Sequence, residues 1–255
     1  MKATRRSVVC LAHSLVCLSS FADADVLRTV ALSGSAAPGT AEEFLDLINN
    51  PVLNNAGQTA FRSRYTGSGA DEAIWSEGSG SLALVARPGS GAPGTSASFG
   101  ALESDPVSNN VGQTAFRARC SGTTNFGTGI WSEGGGLLDL VARSGTMAPG
   151  TSVDFLNFQQ DFLFNDVGQT AFVGSLDGPG VNRSNDAGIW SEGGGSPALV
   201  AREGNAAPGT AAVFNDFGRS RTQPVFNNAG QTVFNAGIAG TLVNRRQDSG
   251  FWWSR

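Results

Sequence analysis

One eight-residue phrase is written four times in this chain, and that repetition restricts the possible folds more than anything else in the sequence. Its pattern is Asn-x-x-Gly-x-x-Ala-Phe, at residues 54–61, 109–116, 165–172 and 227–234. The fixed positions are Asn54, Gly57 and Phe61, then Asn109, Gly112 and Phe116, then Asn165, Gly168 and Phe172, and finally Asn227, Gly230 and Phe234, with Val233 in place of the alanine. An Ile-Trp-Ser-Glu-Gly phrase and a Leu-Val-Ala-Arg phrase followed by Ala-Pro-Gly-Thr recur in fixed order between the copies. Their tryptophans, Trp75, Trp131, Trp190 and Trp252, are 56, 59 and 62 residues apart. Such a period marks a supersecondary unit that buries its apolar face only against its neighbours.

Within a unit the signals are those of strands and tight turns. In the second copy, residues 106–109 enter a turn at Asn110-Val111-Gly112 and residues 113–120 leave it, a hairpin whose Asn and Gly tolerate positive φ. Residues 129–133 carry Ile130 and Trp131 in a third strand, three glycines turn the chain, and residues 137–143 form a fourth. The Ala-Pro-Gly-Thr segment, with Phe155 and Phe158, reads as an irregular connection. Residues 41–50 look weakly helical but fall in the corresponding connection. With 35 glycines and only 15% charged residues, the chain has the composition of many turns and few solvated helices.

Four short strands in a unit of this length match a β-propeller blade. The expected architecture is all-β: tandem four-stranded blade-like units over about residues 27–80, 81–136, 137–195 and 196–255. Residues 28–32 align with the fourth strand of a unit and residues 251–253 with the third. One blade would then be assembled from both termini, closing a four-unit β-propeller and hiding two strand edges. The same phasing fits a segment of a larger ring.

Residues 1–24 read as a signal peptide. Lys2, Arg5 and Arg6 precede a short apolar run, and Ala22-Asp23-Ala24 offers a cleavage site. Cleavage there removes His13, the only histidine, and Lys2, the only lysine, together with Cys10 and Cys17. Cys120 is left alone, so no intrachain disulfide is expected. Removing Lys2, Arg5, Arg6 and Asp23 from 17 basic and 21 acidic side chains leaves 14 against 20, a charge of −6. That balance and the lack of a basic block exclude a nucleic-acid footprint. No later apolar run reaches the length of a membrane span. The expected location is outside the cytoplasm: periplasmic, cell-surface or extracellular.

The repeated phrases resemble those of the bacterial exported proteins described as tandem-repeat NxxGxxAF-containing, a choice-of-anchor family. The likeness covers residues 27–255, and the coupled Trp-Ser-Glu-Gly and Ala-Pro-Gly-Thr phrases make it specific. The resemblance implies architecture and export, and no activity. Family members often carry one of several C-terminal anchors, whereas this chain stops at Ser254-Arg255 without an apolar tail or sorting signal.

Each repeated residue has a structural use to weigh against a functional one. The Asn and Gly of the turns could recur as ligand sites, but Asn braces its own turn and Gly supplies positive φ. The tryptophans could stack on sugars, yet a repeated Trp more often fills the gap between blades, and Trp253, outside the repeat, is the better exposed aromatic. Glu77, Glu133 and Glu192 invite a glycosidase reading, but equivalent positions do not split their pKa values as a catalytic pair must. Pairing with Arg87, Arg143 and Arg202 is the expected use. Without His or Lys in the mature chain, His triads, Schiff-base lysines and His metal sites are excluded. Asp177, Asn182, Asn185 and Asp186, in the longest loop, are the only calcium candidates. No other cofactor is expected.

The sequence therefore points to an exported, non-catalytic β-repeat protein, a binding or scaffold module for a glycan or protein ligand. A carboxylate-based glycan-acting enzyme is the second reading, and it needs unrepeated acids such as Asp105, Asp177, Glu203 and Asp248 to converge at one mouth of the ring. A truncated family member without independent function is the third, and it would show open edges at residues 28–32 or 250–253.

Overall fold

The computed structural model describes residues 27–47, 50–67, 72–121, 127–217, 224–241, 243 and 248–254. The expected signal peptide, residues 1–24, lies outside them. The chain forms four similar antiparallel sheets. Sheet 1 contains β1 (Phe44–Asp46), β2 (Val52–Leu53), β3 (Thr59–Tyr65), β4 (Glu72–Ser76) and β5 (Ala83–Ala86). Sheet 2 contains β6 (Ser98–Leu102), β7 (Val107–Ser108), β8 (Thr114–Ser121), β9 (Thr128–Ser132) and β10 (Asp139–Arg143). Sheet 3 contains β11 (Asp154–Phe158), β12 (Leu163–Phe164), β13 (Thr170–Asp177), β14 (Ala187–Ser191) and β15 (Ala198–Arg202). Sheet 4 contains β16 (Val213–Asp216), β17 (Val225–Phe226), β18 (Thr232–Ala239) and β19 (Ser249–Ser254).

The expected hairpins are present, with one correction. The Ala-Pro-Gly-Thr connection is not irregular, because its phenylalanines lie on strands. β11 pairs with the far end of β13 and β12 with its near end, so one strand position is split in two around residues 159–162. The same split recurs in each sheet, and in the first β1 lies within residues 41–50, which look weakly helical in sequence. Proline at 51, 106 and 224 stands at the start of the second half, a place where its missing N–H costs no ladder bond. β2 contacts β7, β7 contacts β12 and β12 contacts β17, so this edge of every sheet is its inner one. The Leu-Val-Ala-Arg strands β5, β10 and β15 close the sheet they follow, so the sheets are phased later than the units of the sequence.

One face of each sheet carries a Phe-Phe-Trp cluster. In sheet 2 the Trp131 ring lies edge-on to Phe99 at 4.9 Å and nearly parallel to Phe116 at 6.3 Å. Sheets 1, 3 and 4 repeat this with Phe44, Phe61 and Trp75, with Phe155, Phe172 and Trp190, and with Phe214, Phe234 and Trp252. Each Trp Nε1 donates to the proline carbonyl of its own Ala-Pro-Gly-Thr phrase, at Pro38, Pro93, Pro149 and Pro208, always at 3.0 Å. That bond satisfies the one polar atom of a fully buried ring in sheets 1 to 3. The opposite face of sheets 1 to 3 is aliphatic and packs on the aromatic face of the next: Ile74 and Ala86 on sheet 2, Ile130 and Ala142 on sheet 3, Ile189 and Ala201 on sheet 4. Burying each such large side chain contributes about 1.5–3 kcal/mol.

The expected closure of sheet 4 by the N-terminal segment is not found. Val30 and Ala31 pack against the aromatic cluster of sheet 1, and among the described strands β19 pairs with β18 alone. Sheet 4 has no counterpart of β5, β10 and β15 among the described residues. Among those residues too, no helix is long and apolar enough to cross a membrane.

Candidate functional site

The Asn-x-x-Gly turns are internal braces that also join neighbouring sheets. Asn109 is buried, and its Oδ1 accepts from the N–H groups of Val111 and Gln113 at 3.2 and 2.9 Å. Its Nδ2 donates to Gln113 Oε1 at 2.7 Å and to the carbonyl of Asn165 in the next turn at 3.0 Å. Asn54 reaches the Asn109 carbonyl in the same way, and Asn165 that of Asn227, both at 2.9 Å. A second rung runs beside this one: the N–H groups of Asn55, Asn110 and Asp166 donate to Asn110, Asp166 and Asn228 side chains. Asp166, the one acid in the ladder, also accepts from the Asn110 and Asn228 amides, and these bonds hold its carboxyl below the usual range. Gly112 has φ of 86° and abuts Gly78 of the preceding sheet, where an added Cβ on Gly78 would lie 1.8 Å from the Gly112 carbonyl. Gly134 with Gly168, and Gly193 with Gly230, repeat the contact.

The repeated glutamates do not pair with Arg87, Arg143 and Arg202. Each folds back on the first threonine of its own long strand instead. Glu133 N–H donates to the Thr114 carbonyl at 2.9 Å while its carboxylate accepts from Thr114 N–H at 2.8 Å. Glu77 with Thr59 and Glu192 with Thr170 do the same. The half-buried arginines are turned elsewhere: Arg202 Nε, for one, donates to the Asn185 carbonyl at 3.0 Å. Glu77 has a further partner, Arg28, at 2.6 Å, and that guanidinium brings its carboxyl down to about 2. The arginines that do join sheets escaped the sequence reading. Arg62 reaches the Leu102 carbonyl and Asp105 of sheet 2, and Arg117 the Phe158 carbonyl of sheet 3. Their shared place in Ala-Phe-Arg was the signal.

The calcium candidates are not gathered into a ligand set. Asn182 Oδ1 accepts both the N–H and the hydroxyl of Ser184, Asn185 Oδ1 accepts from Asn182 N–H, and Asp177 ends β13 opposite Asp154. The loop's amide oxygens thus brace the loop, and among the described residues no group of three or more His, Cys, Asp or Glu is placed to hold a metal ion. Of the unrepeated acids one lies at the inner edge and three at the strand ends remote from the Asn turns. Asp105 is beside the inner strand β7, Asp177 ends β13, Glu203 follows β15 and Asp248 precedes β19. Trp253 is 58% exposed on the outer face of sheet 4.

The feature that does gather side chains from several sheets is the inner edge. Where the split strand position is interrupted in sheets 1, 2 and 3, Asn50, Pro51 and Val52, then Ser104, Asp105, Pro106 and Val107, then Gln160, Asp161 and Phe162 enclose a cavity of about 430 Å³. Pro106 and Phe162 are buried there, and Asn50, Gln160 and Asp161 are exposed. Asp105 is oriented by Arg62 Nε at 3.1 Å, and Ser104 Oγ accepts from Arg117 N–H at 3.0 Å. A held carboxylate and hydroxyl, with exposed amides beside them, thus stand over apolar walls, a make-up suited to a small polar ligand.

No curated protein and no solved structure matches the chain. A family model described as a family of unknown function matches residues 27–254, which takes in all four sheets. The chain therefore belongs to the DUF7453 family.

Proposed function

We propose that this protein is an exported, non-catalytic binding module of the tandem-repeat NxxGxxAF kind, and that it takes a carbohydrate at its inner edge. The observation that carries the reading is the 430 Å³ cavity formed where three successive sheets interrupt their inner strands. Amides and carboxylates from separate sheets hydrogen-bond well to vicinal hydroxyls, and proline, valine and phenylalanine supply the apolar contact a sugar ring needs. The repeated polar residues support a non-catalytic role, since Asn54, Asn109, Asn165 and the three glutamates are engaged in the framework. The leader-like first residues support export. The test is a glycan array followed by calorimetry. Binding of an oligosaccharide that Asp105→Ala and Asp161→Ala each weaken at least tenfold supports the reading. Release of new reducing ends from the bound sugar would replace it with carboxylate-based hydrolysis, and an array without any hit would remove the carbohydrate.

A further inference from the structure

The four sheets are joined by three junctions of one kind, and each end of the array displays half of another. At every internal junction the fourth strand of a sheet lies beside the third in a fixed register: Ile74 opposite Ala86, Ile130 opposite Ala142, Ile189 opposite Ala201. A leucine of that strand covers the Pro-Gly turn of its own sheet. An added Cβ on Gly39 would lie 2.7 Å from Leu84, on Gly94 2.6 Å from Leu140 and on Gly150 2.8 Å from Leu199, whereas Gly209 in sheet 4 has nothing within 4 Å. The edge of β19, unpaired among the described residues, borders a groove of about 280 Å³ lined by Pro208, Phe214 and Trp252, the place those leucines fill elsewhere. On the outer face of sheet 4, Phe251 stands where the isoleucines do, yet it is 77% exposed, with Val233 and Trp253 beside it.

The other end offers what that edge lacks. Residues 27–32 align with residues 82–87, so that Leu27 stands for Leu82, Val30 for Val85 and Ala31 for Ala86, with the smaller Thr29 at the place of Leu84. They are already seated as a fourth strand would be: Gly34 N–H donates to the Phe44 carbonyl at 2.7 Å, as Gly89 does to Phe99 at 2.8 Å. Val30 and Ala31 lie on the aromatic face of sheet 1, and Leu27, whose counterpart Leu82 packs on its sheet's aromatic cluster, is 94% exposed. Beside them Leu47, Pro51, Thr59 and Phe61 help to line a cavity of about 320 Å³ where an isoleucine of a preceding sheet would enter. Gly57, unlike Gly112, Gly168 and Gly230, faces no glycine of a preceding sheet.

We infer that a second copy of this chain completes the junction head to tail. Residues 27–32 of one copy add to the free edge of β19 in the other as the fourth strand of sheet 4, with Ala31 opposite Phe251. Phe251 and Trp253 then enter the cavity beside Val30 and Phe61, and Asn227 Nδ2 extends the ladder to the Asn54 carbonyl of the second copy. Main-chain pairing at a sheet edge gives affinity, and the alternate side-chain pockets fix register. The outer face of sheet 4 carries Phe251, Val233 and Trp253, an exposed apolar face of the sort that marks an interaction site.

The test uses the full chain expressed with its own leader, in a Cys120→Ala background, with Ala31→Cys and Phe251→Cys made singly and together. Directly opposed residues of an antiparallel pair have Cα atoms about 4.5–5.5 Å apart, within disulfide reach. Mixing the two single variants under mild oxidation is expected to give a covalent dimer. Light scattering of the unmodified chain is expected to give at least twice the monomer mass, and Phe251→Asp to return it to the monomer with an unchanged near-ultraviolet circular dichroism spectrum. A monomer mass at 100 μM with no cross-link between the mixed variants overturns the inference. So does an intrachain disulfide in the double variant that leaves a monomer, because the chain then closes on itself.

Discussion

Replacing Asn109 by Asp exchanges one amide nitrogen for an oxygen and leaves side-chain volume unchanged, so it probes the ladder between sheets directly. Asn109 is 3% exposed, and its Nδ2 supplies two bonds, to Gln113 Oε1 and to the Asn165 carbonyl. The aspartate keeps the acceptor role toward Val111 and Gln113 but turns an oxygen toward two other oxygens. Leaving a buried acceptor unsatisfied costs about 1–3 kcal/mol, so the variant should lose about 2–5 kcal/mol. Asn227→Asp is the internal control. Asn227 bonds its own Gln231 in the same way, at 2.9 Å, but is exposed and reaches no further turn among the described residues. Its loss should be under about 1 kcal/mol. Urea unfolding followed by tryptophan fluorescence and far-ultraviolet circular dichroism at pH 7 measures both. The buried aspartate, faced by acceptors, has its folded pKa raised above the ordinary value of about 3.9. The deficit should therefore be smallest below about pH 4 and grow as pH rises through the folded pKa. Equal losses at 109 and 227 would refute the view that the ladder holds the sheets together.

Three other outcomes follow from the same contacts. Gly134→Ala should destabilise by about 1–3 kcal/mol or more, because its Cβ would meet the Gly168 carbonyl at 1.7 Å, whereas Gly135→Ala, with open space around it, should be close to neutral in the same unfolding assay. Glu77 and Asp166 have depressed pKa values, so their contribution to stability is present above the ordinary carboxylate range and is lost as pH falls through the folded values, about 2 for Glu77. Arg28→Ala should accordingly move the acid-unfolding midpoint to higher pH, read by fluorescence during acid titration. Cys120 is fully buried and burial raises its thiol pKa, so native protein should label with a thiol reagent far more slowly than protein in urea.

Much of the architecture is legible because repetition removes ambiguity. A short apolar run such as Ile130-Trp131 could belong to several folds, but four copies between the same turn residues fit only a stack of like sheets. Trp75, Trp131 and Trp190 take the core role their repetition implied, fully buried against two phenylalanines each. The strands β1, β6, β11 and β16 were hidden, since short runs beside Pro-Gly-Thr read as connection until a partner strand is seen. The glutamates were assigned the wrong partner because charge suggests arginine, while backbone geometry places a threonine N–H nearer. The inner cavity was not legible at all. Its walls come from residues 50–52, 104–107 and 160–162, which no motif marks and which only the stacking of sheets brings together.

By itself the sequence determined the number of units, the strands flanking the Asn and Gly turns, and the internal place of Trp75, Trp131 and Trp190, because those depend on local pattern multiplied by four. Tertiary structure decided how the units are joined. The Asn ladder, the Gly-Gly contacts and the reach of Arg62 and Arg117 link residues of neighbouring repeats, and pairings of that kind exist only once two sheets are face to face. It also decided that no strand pairing joins the two ends among the described residues. Residues 27–32 resemble a fourth strand in either setting, and what separates the settings is where β19 lies when three junctions have already fixed the arrangement of four sheets.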